Sequence, residues 1–250
     1  MTSSLSDKTS YNIIYVEKIM HVYAISDLHL SINNPKPMNI FGPVWDNYID
    51  EIVADWKSKV GDDDIVLMAG DFSWAMKTDE AQADFDFIST LPGKKIMIRG
   101  NHDYWWQSLS TLRKRFPDIV FLQNDAVRIG KYIFCGSRGW MIPEGKFNTE
   151  QNKALYDREL IRQELALTAG DKLRTDGDEK FIVMIHYPPF LLNRMQTQLT
   201  KMYDSFRVDK VVFGHLHNEK STNWLKNTIN GIDYYLTSCD MVGNKLVLID

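Results

Sequence analysis

Cysteine is scarce in this sequence, and only Cys135 and Cys239 occur among its 250 residues. Two thiols cannot form a disulfide framework, and no CxxC pair typical of zinc or redox motifs is present. Both residues lie in apolar, strand-like stretches, so we expect buried free thiols. Sparse cysteine is typical of a reducing compartment and the N-terminus shows no secretory pattern, so the expected location is the cytoplasm.

Long hydrophobic runs and an excess of positive charge are also missing. The longest run without Asp, Glu, Lys or Arg covers residues 181–193, whereas a membrane span takes about 20 apolar residues. Twenty-nine Lys and Arg against 33 Asp and Glu give a formal net charge of −4. This balance argues against membrane binding and against broad binding of nucleic acid, both of which need a basic face.

Signature motifs of several large enzyme classes are absent. The sequence contains no GxSxG, no GxxxxGKS or GxxxxGKT, and no GxG. These absences argue against the nucleophile elbow of α/β-hydrolases, the P-loop and the dinucleotide fingerprint.

Short apolar runs alternate with longer segments of helical periodicity, which is typical of an α/β domain. The predicted strands cover residues 21–26, 64–69, 95–99, 119–122, 132–135, 181–185, 210–213, 234–237 and 245–249. Helices are predicted over 44–60, from an N-cap at Thr78 to about residue 91, from Asn148 or Thr149 to Gly170, and around 199–206. We expect one domain over 20–250, with residues 1–19 forming either an N-terminal extension or an edge strand.

Five predicted strands are followed by Asp, Asn or His, two of them directly and three after a single glycine. Ligands in open α/β sheets bind beyond the carboxyl ends of strands, so these side chains are expected to converge on one crevice. Gly70, Gly100 and Gly214 mark places where the backbone is expected to turn sharply or to pass close to a ligand. The motifs are Asp27-x-His29, Gly70-Asp71, Gly100-Asn101-His102-Asp103, His186 and Gly214-His215-x-His217.

These motifs supply a mixed set of oxygen and imidazole ligands, which suits Mn, Fe, Zn, Ni or Co better than Mg or Ca alone. In an extended segment, residues two apart, such as Asp27 and His29, point to the same face. Seven ligands are too many for one tetrahedral ion and suit two ions about 3.5–4 Å apart that share a carboxylate. The candidate ligands are Asp27, His29, Asp71, Asn101, His186, His215 and His217.

The ordered motif set over residues 27–217 resembles the calcineurin-like metallophosphoesterase superfamily, and in particular its compact single-domain phosphohydrolases. The resemblance implies a four-layer α/β/β/α sandwich with two mixed β-sheets and a dinuclear metal site at the carboxyl ends of the strands. It also implies that His102 binds no metal, lies near the scissile ester and acts as general acid or charge stabiliser. The implied first ion binds Asp27, His29, Asp71 and His217, and the second binds Asp71, Asn101, His186 and His215.

Such a centre predicts metal-dependent hydrolysis of a phosphate mono- or diester in a small substrate, with Mn as the favoured metal. A hydroxide bridging the two ions would attack phosphorus while His102 protonates the leaving oxygen. Asp103 or another acid would orient His102. The alternatives are a nuclease or cyclic-nucleotide phosphodiesterase, or a non-catalytic metal-binding scaffold on the same fold.

Residues for binding the rest of the substrate are less clearly marked. Arg138 lies on a glycine-flanked loop and has the geometry to bind phosphate in a bidentate manner. Arg99 directly precedes Gly100, and Asn218 follows the paired histidines. The second motif lacks the Asp and Arg of the longer GDxxDRG motif found in protein Ser/Thr phosphatases of the superfamily, which argues against that branch.

Overall fold

The computed structural model describes residues 19–175, 177–191, 195–218 and 224–250. The predicted extension or edge strand over residues 1–19 therefore lies outside the described residues, except for Ile19. The strands are β1 (Val22–Ala24), β2 (Ile65–Met68), β3 (Lys94–Ile98), β4 (Ile119–Leu122), β5 (Asp125–Ile129), β6 (Tyr132–Ser137), β7 (Lys180–Ile185), β8 (Lys210–Phe213), β9 (Lys226–Ile229), β10 (Ile232–Leu236) and β11 (Val247–Leu248). The α-helices are α1 (Tyr48–Lys59), α2 (Gln82–Ser89), α3 (Leu109–Arg115), α4 (Glu150–Asp171) and α5 (Gln198–Ser205).

The strands form two mixed sheets. The first has the order β11-β1-β2-β3-β4 and the second the order β5-β6-β7-β8-β10-β9. Strands β1 to β4 are mutually parallel, as are β6, β7, β8 and β10, while β11, β5 and β9 pair antiparallel. The antiparallel strands lie at sheet edges, so the parallel strands that precede the predicted motifs occupy the interiors.

The two sheets pack face to face through aliphatic side chains, including Val22, Leu67, Ile182 and Val212. The outer face of the first sheet packs against α1, α2 and α3, with Trp56 completely buried. The outer face of the second sheet packs against α4 and α5. This order of layers is the expected α/β/β/α sandwich.

All nine predicted strands overlap observed ones, and both cysteines are buried free thiols as expected. Of the two positions predicted for the start of α4, the structure has Thr149 as the N-cap. The Thr149 hydroxyl accepts a hydrogen bond from the backbone N–H of Asn152 at 3.2 Å. The predicted N-cap at Thr78 is wrong, because α2 begins at Gln82. The Thr78 hydroxyl instead donates to the backbone carbonyl of Trp105 at 2.7 Å.

Among the described residues, none of the helices combines the length and the apolar character that crossing a membrane requires.

Candidate metal centre

The predicted ligands come together where the carboxyl ends of β1, β2 and β3 meet those of β7 and β8. Backbone hydrogen bonds hold these loops in register, including Asp27 N–H to Gly70 carbonyl at 3.0 Å and His29 N–H to Asp71 carbonyl at 3.0 Å. A bridge between Ser26 and Ser238 joins the two sheets at the same edge. Loops from both sheets therefore contribute side chains to one crevice.

Two overlapping groups of side chains are close enough to hold a cation. Ligand atoms of Asp27, His29 and His217 lie within 4.8 Å of one another, and so do those of Asp27, Asp71 and His186. In the first group, His217 Nε2 lies 3.5 Å from Asp27 Oδ1. His29 Nε2 lies 4.0 Å from Asp71 Oδ2.

Asn101 completes the second half of the crevice. Its Oδ1 lies 2.8 Å from His186 Nε2 and 2.8 Å from His215 Nδ1. His186 Nε2 also lies 3.4 Å from Asp71 Oδ2. Asp71 therefore contacts residues of both halves, which is the position that a shared carboxylate requires.

Four of the predicted ligands adopt a left-handed backbone, with φ of 57° at Asp27, 47° at His29, 51° at Asp71 and 72° at His215. The extended conformation expected for Asp27 and His29 is therefore wrong, although both side chains reach the same crevice. Positive φ is uncommon for residues with a Cβ and is found preferentially at functional sites. The sharp turns aim consecutive strand ends into one small volume.

The three glycines of the motifs allow the loops to approach closely. A Cβ at Gly100 would lie 2.1 Å from Asp71 Oδ1, and a Cβ at Gly214 would lie 2.3 Å from Asp27 Oδ2. Both distances are far below van der Waals contact, so a side chain at either position would displace a carboxylate. These glycines therefore lie close to neighbouring loops of the crevice, and the expected passage close to a bound ligand stays a prediction.

The electrostatics of the crevice suit a cation. Burial opposes ionisation of Asp27 and Asp71, yet the neighbouring histidines, His217 for Asp27 and His186 for Asp71, hold both pKa values below their ordinary range. Burial lowers the pKa of His29 to about 4 and that of His215 to about 4. Ionised carboxylates and neutral imidazoles are the protonation states that bind metals.

His186 and His217 respond to their acidic neighbours instead. Despite burial, Asp71 raises the pKa of His186 to about 9. The ring of His217 donates hydrogen bonds to the carboxylates of Asp240 and Asp27, which raises the pKa of His217 to about 10, again against the effect of burial. In both cases a proton on the imidazole provides positive charge that stabilises the neighbouring ionised carboxylates. A bound divalent cation would provide that positive charge instead of the proton.

Several of the predicted ligands have hydrogen-bond partners that orient them, whereas His29 Nδ1 is buried without a partner among the described residues. His186 Nδ1 lies 2.8 Å from the carbonyl oxygen of Ala69, and His217 Nδ1 lies 2.8 Å from Asp240 Oδ1. Ser26 and Ser238 hydroxyls donate to Asp27 Oδ2 at 2.6 and 2.9 Å. Such contacts leave the opposite ring nitrogens of His186 and His217 free to face the crevice, so the donor set fits a metal cation.

Asp240 is a residue that the sequence reasoning missed. It follows β10 in the run Thr237-Ser238-Cys239-Asp240, so it is another acid beyond the end of a strand. Its side chain is 2% exposed. The strand-end pattern that identified the other motifs was therefore present here too.

His102 lies beside the ligands without joining them. Its backbone N–H donates to Asp71 Oδ1 at 2.7 Å. Its ring lies 4.7 Å from the Trp74 ring and 5.6 Å from the His29 ring, measured between centroids. The imidazole is half-buried and faces a cavity next to the metal centre.

Among the described contacts, the Asp103 carboxylate has no hydrogen bond to the His102 ring, which it was expected to orient. Its fully buried carboxylate accepts backbone N–H groups of Gly100, Asp71, Phe72 and Ser73 at 2.7 to 3.3 Å. It also accepts the Trp105 indole N–H at 3.0 Å. Because these donors fill the carboxylate, Asp103 fixes the loops that carry Asp71 and Asn101 and acts as a positioning residue.

The cavity beside His102 has a volume of about 280 Å³. Its walls are mostly apolar, and the indole Nε1 of Trp45 is buried without a hydrogen-bond partner in the described part of the protein. The predicted substrate residue Asn218 lies on its rim. The cavity is lined by His29, Met38, Phe41, Trp45, Trp74, His102, His217 and Asn218.

The other two predicted substrate residues, Arg99 and Arg138, line a separate pocket of about 250 Å³ between the sheets and α4. Within the described part of the chain, its wall does not include His102 or any of the predicted ligands. The structure therefore places these arginines together, but apart from Asn218.

Two mixed sheets with carboxylates and imidazoles at their common edge define an α/β protein with a candidate dinuclear metal centre. The sequence model of the calcineurin-like phosphoesterase family matches residues 20–219. This match covers most of the chain, and the protein belongs to the calcineurin-like phosphoesterase family.

Solved structures with the same fold include a protein of unknown function, AQ665, from Aquifex aeolicus. The two chains share 15% identity with a TM-score of 0.51, over 92% of this chain and 96% of that one. The protein TT1561 of Thermus thermophilus shares 14% identity with a TM-score of 0.59, over 92% and 98% of the two chains. At these identities the likeness shows the fold alone. No functionally curated protein matches this sequence.

Proposed function

We propose that this protein hydrolyses a phosphate ester, a mono- or diester in a small molecule, with the help of two divalent transition-metal ions. The family supports metal-dependent phosphoester hydrolysis in general. The observation that supports the dinuclear form is the position of Asp71, which lies 3.4 Å from His186 and 4.0 Å from His29. A single carboxylate thus lies between the two sets of nitrogen and oxygen donors.

Asp27, His29, Asp71 and His217 would hold the first ion, and Asp71, Asn101, His186 and His215 the second. When bound, such ions polarise phosphoryl oxygens and lower the pKa of water to near neutrality. The mixture of carboxylate, amide and imidazole ligands suits Mn, Fe, Zn, Ni or Co, and Mn is the metal that we favour.

The chain itself would supply the proton for the leaving group. The His102 ring packs against Trp74 and His29, and its main chain is tied to Asp71, so the imidazole is held at the edge of the metal centre. A leaving alkoxide needs a proton, and histidine is the side chain most often used as a general acid in enzymes. His102 would therefore act as general acid, with its orientation set by ring packing.

The cavity that His102 faces would receive the leaving group, because the proton donor and the cavity share that side of the centre. Trp45, Trp74 and Phe41 favour a flat or apolar group. The unpartnered indole N–H of Trp45 would donate to an acceptor on that group. The same walls would accept a nucleobase, which favours a cyclic-nucleotide phosphodiesterase as the second candidate.

The experiment is metal analysis of the purified protein, followed by assays of an aryl phosphate, a bis-aryl phosphate and a cyclic nucleotide with Mn, Fe, Zn, Ni or Co. Metal-dependent hydrolysis of at least one ester is expected. Inactivity toward all three with every metal would overturn the proposal and leave a metal-binding scaffold. His21→Ala serves as a control, because His21 precedes β1 at the amino end, away from the centre.

A further inference from the structure

A second polar pocket, the arginine pocket, lies between β3 and β4 of the first sheet, the end of β6, and α4. Four arginines line it, Arg99, Arg138, Arg158 and Arg162, together with one carboxylate, that of Glu159. The pocket has a volume of about 250 Å³, enough for several water-sized groups. Its lining has a formal charge near +3, in a protein whose overall charge is −4.

Glu159 cannot neutralise this cluster alone. Its Oε1 lies 2.6 Å from Arg162, 3.6 Å from Arg158 and 4.0 Å from Arg138. Its Oε2 is buried without a hydrogen-bond partner among the described residues, so only one oxygen is used. Three guanidinium groups therefore lie within 4.0 Å of a single acceptor atom, and in the described part of the chain only Arg162 is hydrogen-bonded to it.

Arg99 adds an unsatisfied donor from the opposite wall. Its buried Nε has no hydrogen-bond partner in the described part of the chain. A buried unpartnered donor is costly, and an anion in the pocket that accepted from Arg99 would offset that cost.

The walls of the pocket continue into the loops of the metal centre. Arg99 is two residues before Asn101 in the chain. The carbonyl oxygen of Arg138 accepts the backbone N–H of His186 at 3.0 Å. The Arg138 guanidinium also lies 5.0 Å from the Trp140 ring centroid, which holds it in place.

We propose that the arginine pocket binds a phosphate group other than the one that reacts at the metal centre. A tetrahedral dianion offers oxygens in several directions, and guanidinium groups bind such oxygens in a bidentate manner. Because Arg99 and Arg138 belong to the loops that carry Asn101 and contact His186, an anion here would also stabilise those loops. The bound group is either a second phosphate of the substrate or a free phosphate that acts as an effector.

The first test measures binding of inorganic phosphate to the full chain after metal removal by a chelator, so that the metal centre does not contribute. Titration calorimetry at fixed ionic strength should show saturable binding. Arg158→Gln, at a half-exposed position, and the double variant with Arg162→Gln should bind at least about tenfold more weakly. Lys153→Gln is the matched control, because Lys153 lies on α4 and pairs with the exposed Glu150.

Glu159→Gln distinguishes a binding pocket from a purely structural cluster. Removing the one carboxylate of the pocket should tighten phosphate binding several-fold. If the cluster is purely structural, the substitution would lower the melting temperature and would not tighten phosphate binding. No saturable binding by the unaltered protein, or equal affinity in the Arg158→Gln protein, would overturn the proposal. Neither result depends on catalysis, so this inference and the proposed function fail separately.

The second test identifies the source of the phosphate and rests on the proposed function. With metal-loaded protein, kcat/KM is compared for a sugar bisphosphate and the matching monophosphate. If the pocket holds a second substrate phosphate, Arg158→Gln should lower the ratio of bisphosphate to monophosphate kcat/KM about tenfold. If it holds free phosphate, added phosphate should change the monophosphate rate in the unaltered protein and not in the variant. The absence of both effects in an active enzyme would contradict a role for the pocket in the reaction.

Discussion

The imidazole of His217 connects two acids, with Nδ1 2.8 Å from Asp240 Oδ1 and Nε2 3.5 Å from Asp27 Oδ1. Asp240 thereby fixes the ring and keeps Nε2 directed at the crevice. A carboxylate behind a histidine ligand also increases the basicity of the ring. Asp240 is therefore expected to strengthen metal binding without contacting the metal.

Asp240→Asn should reduce metal affinity about 10- to 100-fold, the range typical for loss of a carboxylate behind a histidine ligand. The measurement is a competition titration of Mn²⁺ against a chelator, together with the melting temperature of the metal-free protein. Asp233→Asn is the control, since Asp233 pairs with Lys226 on β9. Unchanged affinity in the Asp240→Asn protein would show that this hydrogen bond does not tune the site.

His102→Ala should keep both metals and lose turnover. General acid catalysis typically contributes about 10²–10⁴-fold. The loss should be larger for an alkyl phosphate than for a nitrophenyl phosphate, because a good leaving group needs little protonation. Metal content and the two kcat values are measured together. If the variant loses its metals, His102 acts as a ligand, and the assignment as general acid is wrong.

The cavity beside His102 predicts selectivity for an apolar leaving group. Phe41 lines the cavity and is 52% exposed, while the adjacent Ile40 is 72% exposed and is not part of the described lining. Phe41→Ser should lower the ratio of aryl to alkyl phosphate kcat/KM about fivefold, or about 1 kcal/mol. Ile40→Ser, the neighbouring control, should leave it unchanged. Equal effects of the two substitutions would place the leaving group elsewhere.

The ionised carboxylate of Asp250 is expected to make the free energy of unfolding depend on pH. Its carboxylate pairs with Lys210 and accepts the Tyr132 hydroxyl at 2.8 Å, so it ties the end of the chain to the second sheet. Burial opposes ionisation, but Lys210 and Tyr132 hold the pKa of Asp250 below its ordinary value of 3.8. The contribution is therefore present above about pH 4 and is lost as pH falls through the lowered pKa.

Asp250→Asn should lower the free energy of unfolding by up to about 1 kcal/mol at pH 7 and by less at pH 3. Denaturant titrations at the two pH values measure this difference. Asp62→Asn, at an exposed position, is the control. A loss of equal size at both pH values would show that the ionised carboxylate is not responsible.

The strand-end motifs could be predicted from sequence because buried parallel strands are apolar and their polar ends stand out. The weak strands β5 and β9 and the short helix α3 were not predicted. Strand β5 has four partly buried residues and one exposed one, and Asn227 is the only buried position of β9, so neither has a clear apolar run. Segments of this kind depend on their neighbours for stability.

The aromatic cavity and the role of Asp103 could not be read from local sequence. Phe41 and Trp45 lie in short 3₁₀ turns, and their distance from His102 in the chain conceals that they line one cavity. Asp103 lies in a motif that suggested catalysis, but its carboxylate accepts backbone amides of two loops and the indole N–H of Trp105. Arg158 and Arg162 lie on a charged helix, where the sequence alone does not indicate which face meets Arg99.

The most direct test of the account is a titration of the chelator-treated protein with Mn²⁺, following both bound metal and hydrolysis of an aryl or bis-aryl phosphate. The account predicts that activity rises until two ions are bound per chain, and that Asp71→Asn, which removes the shared carboxylate, weakens binding of both. Full activity with one ion, or undiminished activity without any, would contradict a dinuclear centre.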